Sequence, residues 1–215
     1  MGGEGYDAGM IGTGAWRLPR RWHETTDVLL IGAGFSGLAA AAAAASVGSA
    51  VIVLDKMTRY GGNSAINLGD YAAWDDMRYR RAALGLGEDS AEQHAAEALE
   101  ASQHYGDPAL VATMAGGAPS TLDWMVAEGG LRLREALHRQ GSGAFRMHLA
   151  DSGRDYVEAL RAIALKHGAE LRTGAKLSRI WRDGATAPLS AHRISWLMEI
   201  SRFRLRPEGP ESTHC

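Results

Sequence analysis

Residues 27–55 constrain this chain more than any other stretch. Asp27 opens an apolar run, Val28-Leu29-Leu30-Ile31, which leads into Gly32-Ala33-Gly34-Phe35-Ser36-Gly37 and then nearly uninterrupted alanine. Ala50-Val51-Ile52-Val53-Leu54-Asp55 follows. The order predicts strand, glycine-rich turn, helix, second strand and terminal acid. Four consecutive apolar residues suit a strand buried on both faces. Gly32, Gly34 and Gly37 fall at G-x-G-x-x-G spacing, and each has its own task. The first permits a tight turn, the second lets a pyrophosphate approach the backbone, and the third lets helix pack close to strand. The helix N-terminus beyond them offers N–H groups and a positive dipole end to a phosphate. Asp55 stands where a carboxylate can take the ribose hydroxyls of an adenosine. A lone glycine motif is weak, but turn, helix, second strand and acid in register point to dinucleotide binding.

The bulk composition removes several alternatives. Charged residues are 22% and the formal net charge is −2, so nothing electrostatic favours nucleic acid or an anionic membrane. Cys215, the single cysteine, allows no internal disulfide and no cysteine-based metal site, which fits a reducing compartment. The eight histidines show no metal-ligand spacing. Arg20-Arg21 is not followed by the apolar region and small-residue cleavage site of an export signal, and the next apolar run is the first strand itself. These features predict a soluble, cytoplasmic protein with no membrane partner.

The rest of the chain reads as follows. Residues 1–23 are Gly-rich with isolated aromatics and form an irregular leader. Leu38 to Ser46 supply the first helix, closed at Val47-Gly48. After Asp55 and Lys56, the run Gly61-Gly62-Asn63-Ser64 to Gly69 suggests backbone passing close to a flat ligand, with amide and hydroxyl groups turned towards it; a surface loop is the plain alternative. Met77 to Ala150 reads as helical, with a capped polar helix from Asp89-Ser90 to about Tyr105 and a short helix opening at Asp107-Pro108. Leu122, Met125 and Val126 suit core packing, Gln140–Ala144 a loop, and Arg146 and His148 structural rather than ligand roles. Gly153 to His167 is an amphipathic helix closed by Gly168. Leu177–Trp181 starts an antiparallel meander, with Asp183-Gly184 as a turn signal.

The blocks Gly32–Gly37, Asp55-Lys56-Met57 and Gly61–Gly69 together resemble the flavoprotein family of fumarate reductase and succinate dehydrogenase, and more closely its soluble, flavocytochrome-c-like branch. Glu88-Asp89-Ser90, Asp107-Pro108, Arg146-Met147-His148 and Ser152-Gly153 extend the resemblance more loosely, to about residue 184. It implies an α/β fold: a Rossmann-like FAD-binding domain with a parallel sheet and a helical insertion. Gly32, Gly34 and Gly37 would hold the FAD pyrophosphate, and Asp55 the ribose, where many relatives carry Glu. Phe35, Ser36 and Lys56, in the same blocks, count with the cofactor-binding residues. Gly61, Gly62, Asn63 and Ser64 would line the flavin side. The succinate dehydrogenase branch joins a histidine of this loop to the flavin; that place holds Asn63 here, so FAD should be non-covalent.

Glu170–Thr173 resembles the family's third parallel strand, beside the Asp55 strand. Beyond Gly184 the resemblance stops. Pro188 stands where a returning strand should donate hydrogen bonds, and Arg202–Arg206 reads equally as strand or coil. The expected organisation is a leader (1–23), the N-terminal part of an FAD domain (24–184), truncated before the capping domain, and a non-family tail (185–215). In the family the proton-delivering arginine and the groups that clamp a dicarboxylate lie beyond this segment, so no catalytic residue is assigned. The implied activity is flavin-mediated hydride exchange with a small saturated or unsaturated acid. A non-catalytic dinucleotide-binding module and an NAD-dependent dehydrogenase are the alternatives, the latter disfavoured by the Gly61–Gly69 loop.

Overall fold

In the computed structural model, which describes residues 24–74, 80–139, 143–181, 191–196 and 200–205, the chain begins with β1 (Glu24–Thr26) and β2 (Val28–Ile31). Helix α1 (Phe35–Ser46) then returns it to β3 (Val51–Leu54). A single 3-10 turn, Gly62–Ala65, precedes β4 (Asp70–Ala72) and the helices α2 (Arg80–Ala83), α3 (Ala91–Ala101) and α4 (Pro108–Ala127). Strand β5 (Met147–Leu149), helix α5 (Gly153–Lys166) and β6 (Glu170–Arg172) follow. The described chain ends in β7 (Ala175–Trp181), β8 (Ala191–Trp196) and β9 (Ile200–Leu205).

Strands β2, β3 and β6 form a parallel sheet in that order, with Val28 beside Val51 and Ile52 beside Glu170. This is the expected β-α-β unit with the third strand beside the Asp55 strand. Alanine lets α1 lie close on the sheet: Leu38, Ala41, Ala42 and Ala45 are all buried. Across from them α5 buries Tyr156, Val157, Leu160, Ile163 and Ala164, one stripe at helical spacing. At about 1.5–3 kcal/mol for each large aliphatic side chain, this α1–α5 core is a principal anchor of the fold. Asp155 closes the start of α5, its carboxylate accepting from the Ser152 amide at 2.8 Å. Gly168, with φ +89°, ends it in the left-handed conformation.

Several sequence expectations change. Strand β2 is only partly buried, and Ile31 is 47% exposed. The sheet's second face carries a small cluster, Ile52, Leu54 and Ala175 with Leu29 and Leu177. The helical pattern predicted to Ala150 stops at Ala127; β5 pairs antiparallel with β4, Tyr71 opposite His148. Gly130, with φ +69°, turns the chain out of the helix, and the Leu131 amide closes back on the Met125 carbonyl at 3.1 Å. A Cβ on the preceding Gly129 would lie 2.7 Å from the Ala159 carbonyl oxygen, so the chain can cross α5 this closely only as glycine. Helix α4 is long rather than short and continues through Pro119. Proline cannot donate to the Ala115 carbonyl one turn back. The Trp74 indole does so instead, at 3.0 Å.

The tail also differs. Residues 191–196 return antiparallel to β7, and 200–205 lie between β8 and β1, giving the order β1-β9-β8-β7. The returning strand begins after Pro188, so the proline does not interrupt its ladder. The leader, Gln140–Ser142 and Asp183-Gly184 lie outside the described residues. Among the described residues no helix is long and apolar enough to cross a membrane.

Between α3 and α4, Gln103 and His104 both adopt left-handed backbone, φ 53° and 58°. The His104 amide reaches back to the Leu99 carbonyl at 2.7 Å, as a helix-terminating turn requires. A side chain in that conformation is costly. Replacing the exposed His104 with Gly should raise stability by about 0.5–1 kcal/mol, the strain relief being partly offset by unfolded-state entropy. Urea unfolding should show a higher midpoint at unchanged slope.

Candidate functional site

The glycine turn lies at the C-terminal end of β2, where open α/β sheets bind ligands. Gly32 has φ +100°, and its amide donates to the Leu54 carbonyl at 2.7 Å, tying the turn to β3. A Cβ on Gly37 would lie 1.9 Å from the Gly32 carbonyl oxygen, so only glycine lets α1 start this close to the turn. Gly34 caps α1 without a side chain. A Cβ there would meet only Ser64 Oγ, at 3.5 Å, and the Gly61 carbonyl at 3.9 Å, while at Gly32 and Gly62 it would meet nothing within 4 Å. Backbone is therefore bare on the open side of the turn. Ser36 is exposed on the first turn of α1.

Asp55 is 8% exposed at the end of β3. Its two carboxylate oxygens accept the Ala33 and Met57 amides, each at 2.8 Å. The acid thus holds the middle of the glycine turn against the end of β3, a contact that the spacing alone did not disclose. A carboxylate has about four acceptor positions, so capacity for hydroxyl donors is left over. Lys56 and Met57 are exposed beside it.

The loop from Gly61 to Gly69 runs alongside. Gly61, with φ +102°, donates its amide to the Ala33 carbonyl at 2.8 Å. Ser64 Oγ accepts the Phe35 amide at 3.0 Å, the first amide of α1, and so joins loop and helix N-terminus directly. Asn63 is exposed. Sequence reasoning missed Asn67, whose Nδ2 donates to the Ser64 carbonyl and whose Oδ1 accepts the Gly69 amide, both at 2.7 Å. An asparagine two residues before a glycine was the available signal, since asparagine bonds backbone locally in turns. Met57, after the Asp55 strand, and Ile66 and Leu68, in the loop, are 55%, 77% and 84% exposed.

Arg146 and His148 have structural surroundings. Arg146 grips both oxygens of Asp89, at 2.9 and 2.7 Å, and reaches Glu97 at 2.7 Å. Burial pulls its pKa down, but the hydrogen bonds and charges of Asp89 and Glu97 outweigh this and raise it. His148 is 1% exposed, and its carbonyl accepts the Tyr156 hydroxyl at 2.8 Å. Tyr71 stacks on Tyr156 with ring centroids 5.7 Å apart and lies 6.4 Å from Phe35. Burial pushes the Tyr71 hydroxyl up to about 12 and raises Tyr156 further, so both stay neutral near pH 7. His94, buried on α3, is shifted down by desolvation and then by Arg146. Leu122 and Met125 are fully buried, as core packing requires.

A β-α-β unit with a bare glycine turn at a helix start, an acid on the next strand and a glycine-rich loop alongside defines a Rossmann-type dinucleotide-binding protein. Comparison with known proteins narrows the class. The chain belongs to the FAD binding domain family, whose profile matches residues 27–194 and reaches into β8. It is 30% identical over 166 residues to the fumarate reductase (cytochrome) of Shewanella frigidimarina, covering 75% of this chain and 28% of that one. An L-aspartate oxidase of Mycobacterium tuberculosis is 33% identical over 173 residues, 76% of this chain and 31% of that protein. The open conformation of a flavocytochrome c3 fumarate reductase superposes with TM-score 0.77 at 26% identity, over 86% of this chain and 33% of that one. A 3-ketosteroid dehydrogenase from Rhodococcus jostii, at 18% identity and TM-score 0.75, shares the fold. The chain thus spans under a third of the length of these two sequence relatives.

The site's residues fit FAD. Bare backbone at Gly34 and the N-terminus of the 12-residue α1 suit a pyrophosphate, and Asp55 keeps acceptor capacity for ribose hydroxyls.

Proposed function

We propose that this chain holds FAD non-covalently as the nucleotide-binding part of an oxidoreductase that exchanges hydride with a small organic acid. In this reading Gly32, Gly34 and Gly37 shape the pyrophosphate cradle, with Phe35, Ser36 and Lys56 at its rim. Asp55 accepts ribose hydroxyls with the lone pairs left by Ala33 and Met57. Gly61, Gly62, Asn63 and Ser64 line the flavin side, and Asn63 has no imidazole nitrogen with which to form a covalent link. The flavin supplies the hydride chemistry, while the chain supplies position and electrostatics. The single observation that carries the reading is the Phe35 amide to Ser64 Oγ contact, at 3.0 Å, which joins the loop to the glycine turn and so supports one shared site. The names of the relatives, fumarate reductase and L-aspartate oxidase, support a small acid as substrate.

The test is to mix purified protein with FAD, desalt it, and record the visible spectrum before and after denaturation. Flavin should co-elute with the folded protein and leave it on unfolding. Reduced anaerobically with viologen, the bound flavin should not turn over a small unsaturated acid at an enzyme-like rate, since no residue of this chain is assigned to clamp or protonate it. Failure to retain flavin overturns the cofactor assignment. Turnover of such an acid at about 1 s⁻¹ or faster would overturn the reading of the chain as the nucleotide-binding part alone.

A further inference from the structure

The Gly61–Gly69 loop is held in place by the N-terminal half of α5. Tyr60, at its start, donates its hydroxyl to Glu158 at 2.8 Å, with the Arg161 guanidinium 5.0 Å from the ring centroid. A Cβ on Gly61 would lie 3.3 Å from Val157 Cγ1, and one on Gly69 2.9 Å from the Ser152 carbonyl carbon. The tightest contact is at Gly153, the first residue of α5. A Cβ there would lie 2.3 Å from the Ser64 carbonyl oxygen and 2.4 Å from Asn67 Cγ and Nδ2. The Gly153 amide donates to the Asn67 carbonyl at 3.1 Å, and the Asn67 side chain spans Ser64 and Gly69. Ser64 in turn accepts from Phe35. A continuous path therefore runs from the start of α5 through Asn67 and Ser64 to the start of α1.

We propose that Gly153 and Asn67 are a positioning pair that sets the height of the flavin-side loop over the phosphate turn, and so determines how much more tightly the site holds FAD than ADP. The inference rests on the FAD reading given above and deepens it. The glycine turn, Asp55 and α1 grip the ADP moiety that both ligands share. The loop can add affinity only for the remainder of FAD. A methyl group at 153 must lift the Ser64 carbonyl, which is backbone, and push aside the Asn67 side chain that donates to it. The turn is separately tied to β3 by Gly32 and Asp55 and stays in place. The pair acts on discrimination rather than on the nucleotide grip.

The experiment compares wild type, Gly153→Ala and Asn67→Ala by titration with FAD and with ADP, and by hydrogen exchange of the ligand-free proteins. Asn67 is exposed, so Asn67→Ala removes two hydrogen bonds without adding volume and keeps the test open if Gly153→Ala fails to fold. In each folded variant FAD affinity should fall by about tenfold or more, while ADP affinity stays within about twofold. Exchange should quicken in residues 61–69 and not in 28–55. Equal losses for FAD and ADP would mean a merely structural role and overturn the proposal. So would an unchanged FAD-to-ADP ratio. If wild type itself does not prefer FAD to ADP, the FAD reading fails. Exchange confined to 61–69 would then still support the interlock, and uniform exchange would overturn it.

Discussion

Arg146→Met should cost about 3–5 kcal/mol of stability, the range for removing one partner of a buried ion pair. Against a total of about 5–15 kcal/mol for a domain, that is enough to leave much of the population unfolded near the lower bound. The reason is what remains behind. The Asp89 side chain is fully buried and the Arg146 side chain is 8% exposed, so water cannot replace the lost guanidinium. Arg81 stays 3.8 Å from Asp89, but its guanidinium is already engaged by the Phe145 and Gly87 carbonyls. Arg146→Lys keeps the charge and loses the fork, and should fall between. Combining Arg146→Met with Asp89→Asn should recover part of the loss, because the stranded carboxylate is then neutral. Urea melts of these three variants and the wild type read this directly. The effect should reach the cofactor site too: the Arg146 carbonyl accepts the Ala73 amide, and β4 leaves the flavin-side loop directly. A melt unchanged within error would show that Asp89 is not held as described.

Why the phosphate turn was legible in the sequence, and this ion cluster was not, follows from distance along the chain. The turn is set largely within residues 28–55: Gly37 packs on nearby Gly32, and the Gly32 amide reaches Leu54 on the strand that the same apolar pattern announces. The β-α-β unit therefore appears in a local pattern of apolar runs and glycines. Arg146 finds Asp89 across 57 residues and Glu97 across 49, and no spacing rule connects them. The same holds for Trp74, which completes α4 at Pro119 from 41 residues away as counted to Ala115. Proline read locally stops a helix, while a distant indole lets it continue. At Pro188 the local rule was applied one connection too early, since the strand begins after it. In the loop, Gly61 to Ser64 could be singled out because glycine next to amide and hydroxyl groups implies close approach. Asn67 offered only the local signal of an asparagine two residues before a glycine, and its packing on Gly153, far along the chain, was not legible. Asp55 is the intermediate case: its position was legible, and its grip on the Ala33 and Met57 amides was not.

Gly37 should tolerate no side chain, and it should fail for a different reason from Gly34. The nearest atoms to a Cβ at 37 are the Gly32 carbonyl oxygen and carbon, at 1.9 and 3.1 Å. Both belong to backbone that β3 holds through the Gly32 amide, so the turn cannot give way cheaply. Helix α1 must move instead, and it carries Leu38, Ala41, Ala42 and Ala45 into the core that it shares with α5. A shift there opens voids on one side and crowds the other. Overpacking alone costs about 1–3 kcal/mol, and lost packing along four buried residues adds to it. Gly37→Ala should therefore lose at least ~3 kcal/mol together with FAD binding, and Gly37→Val should not fold cooperatively. Gly34→Ala is the contrast: φ −82° suits any residue, and the nearest atom to its Cβ is Ser64 Oγ at 3.5 Å. Its stability should stay within ~1 kcal/mol of wild type while FAD affinity drops by about tenfold or more, because the methyl group occupies the phosphate approach. Paired urea melts and FAD titrations separate the two effects. A Gly37→Ala protein with a wild-type melt would show that α1 does not start against the Gly32 carbonyl, and a Gly34→Ala protein with wild-type FAD affinity would move the pyrophosphate away from this turn.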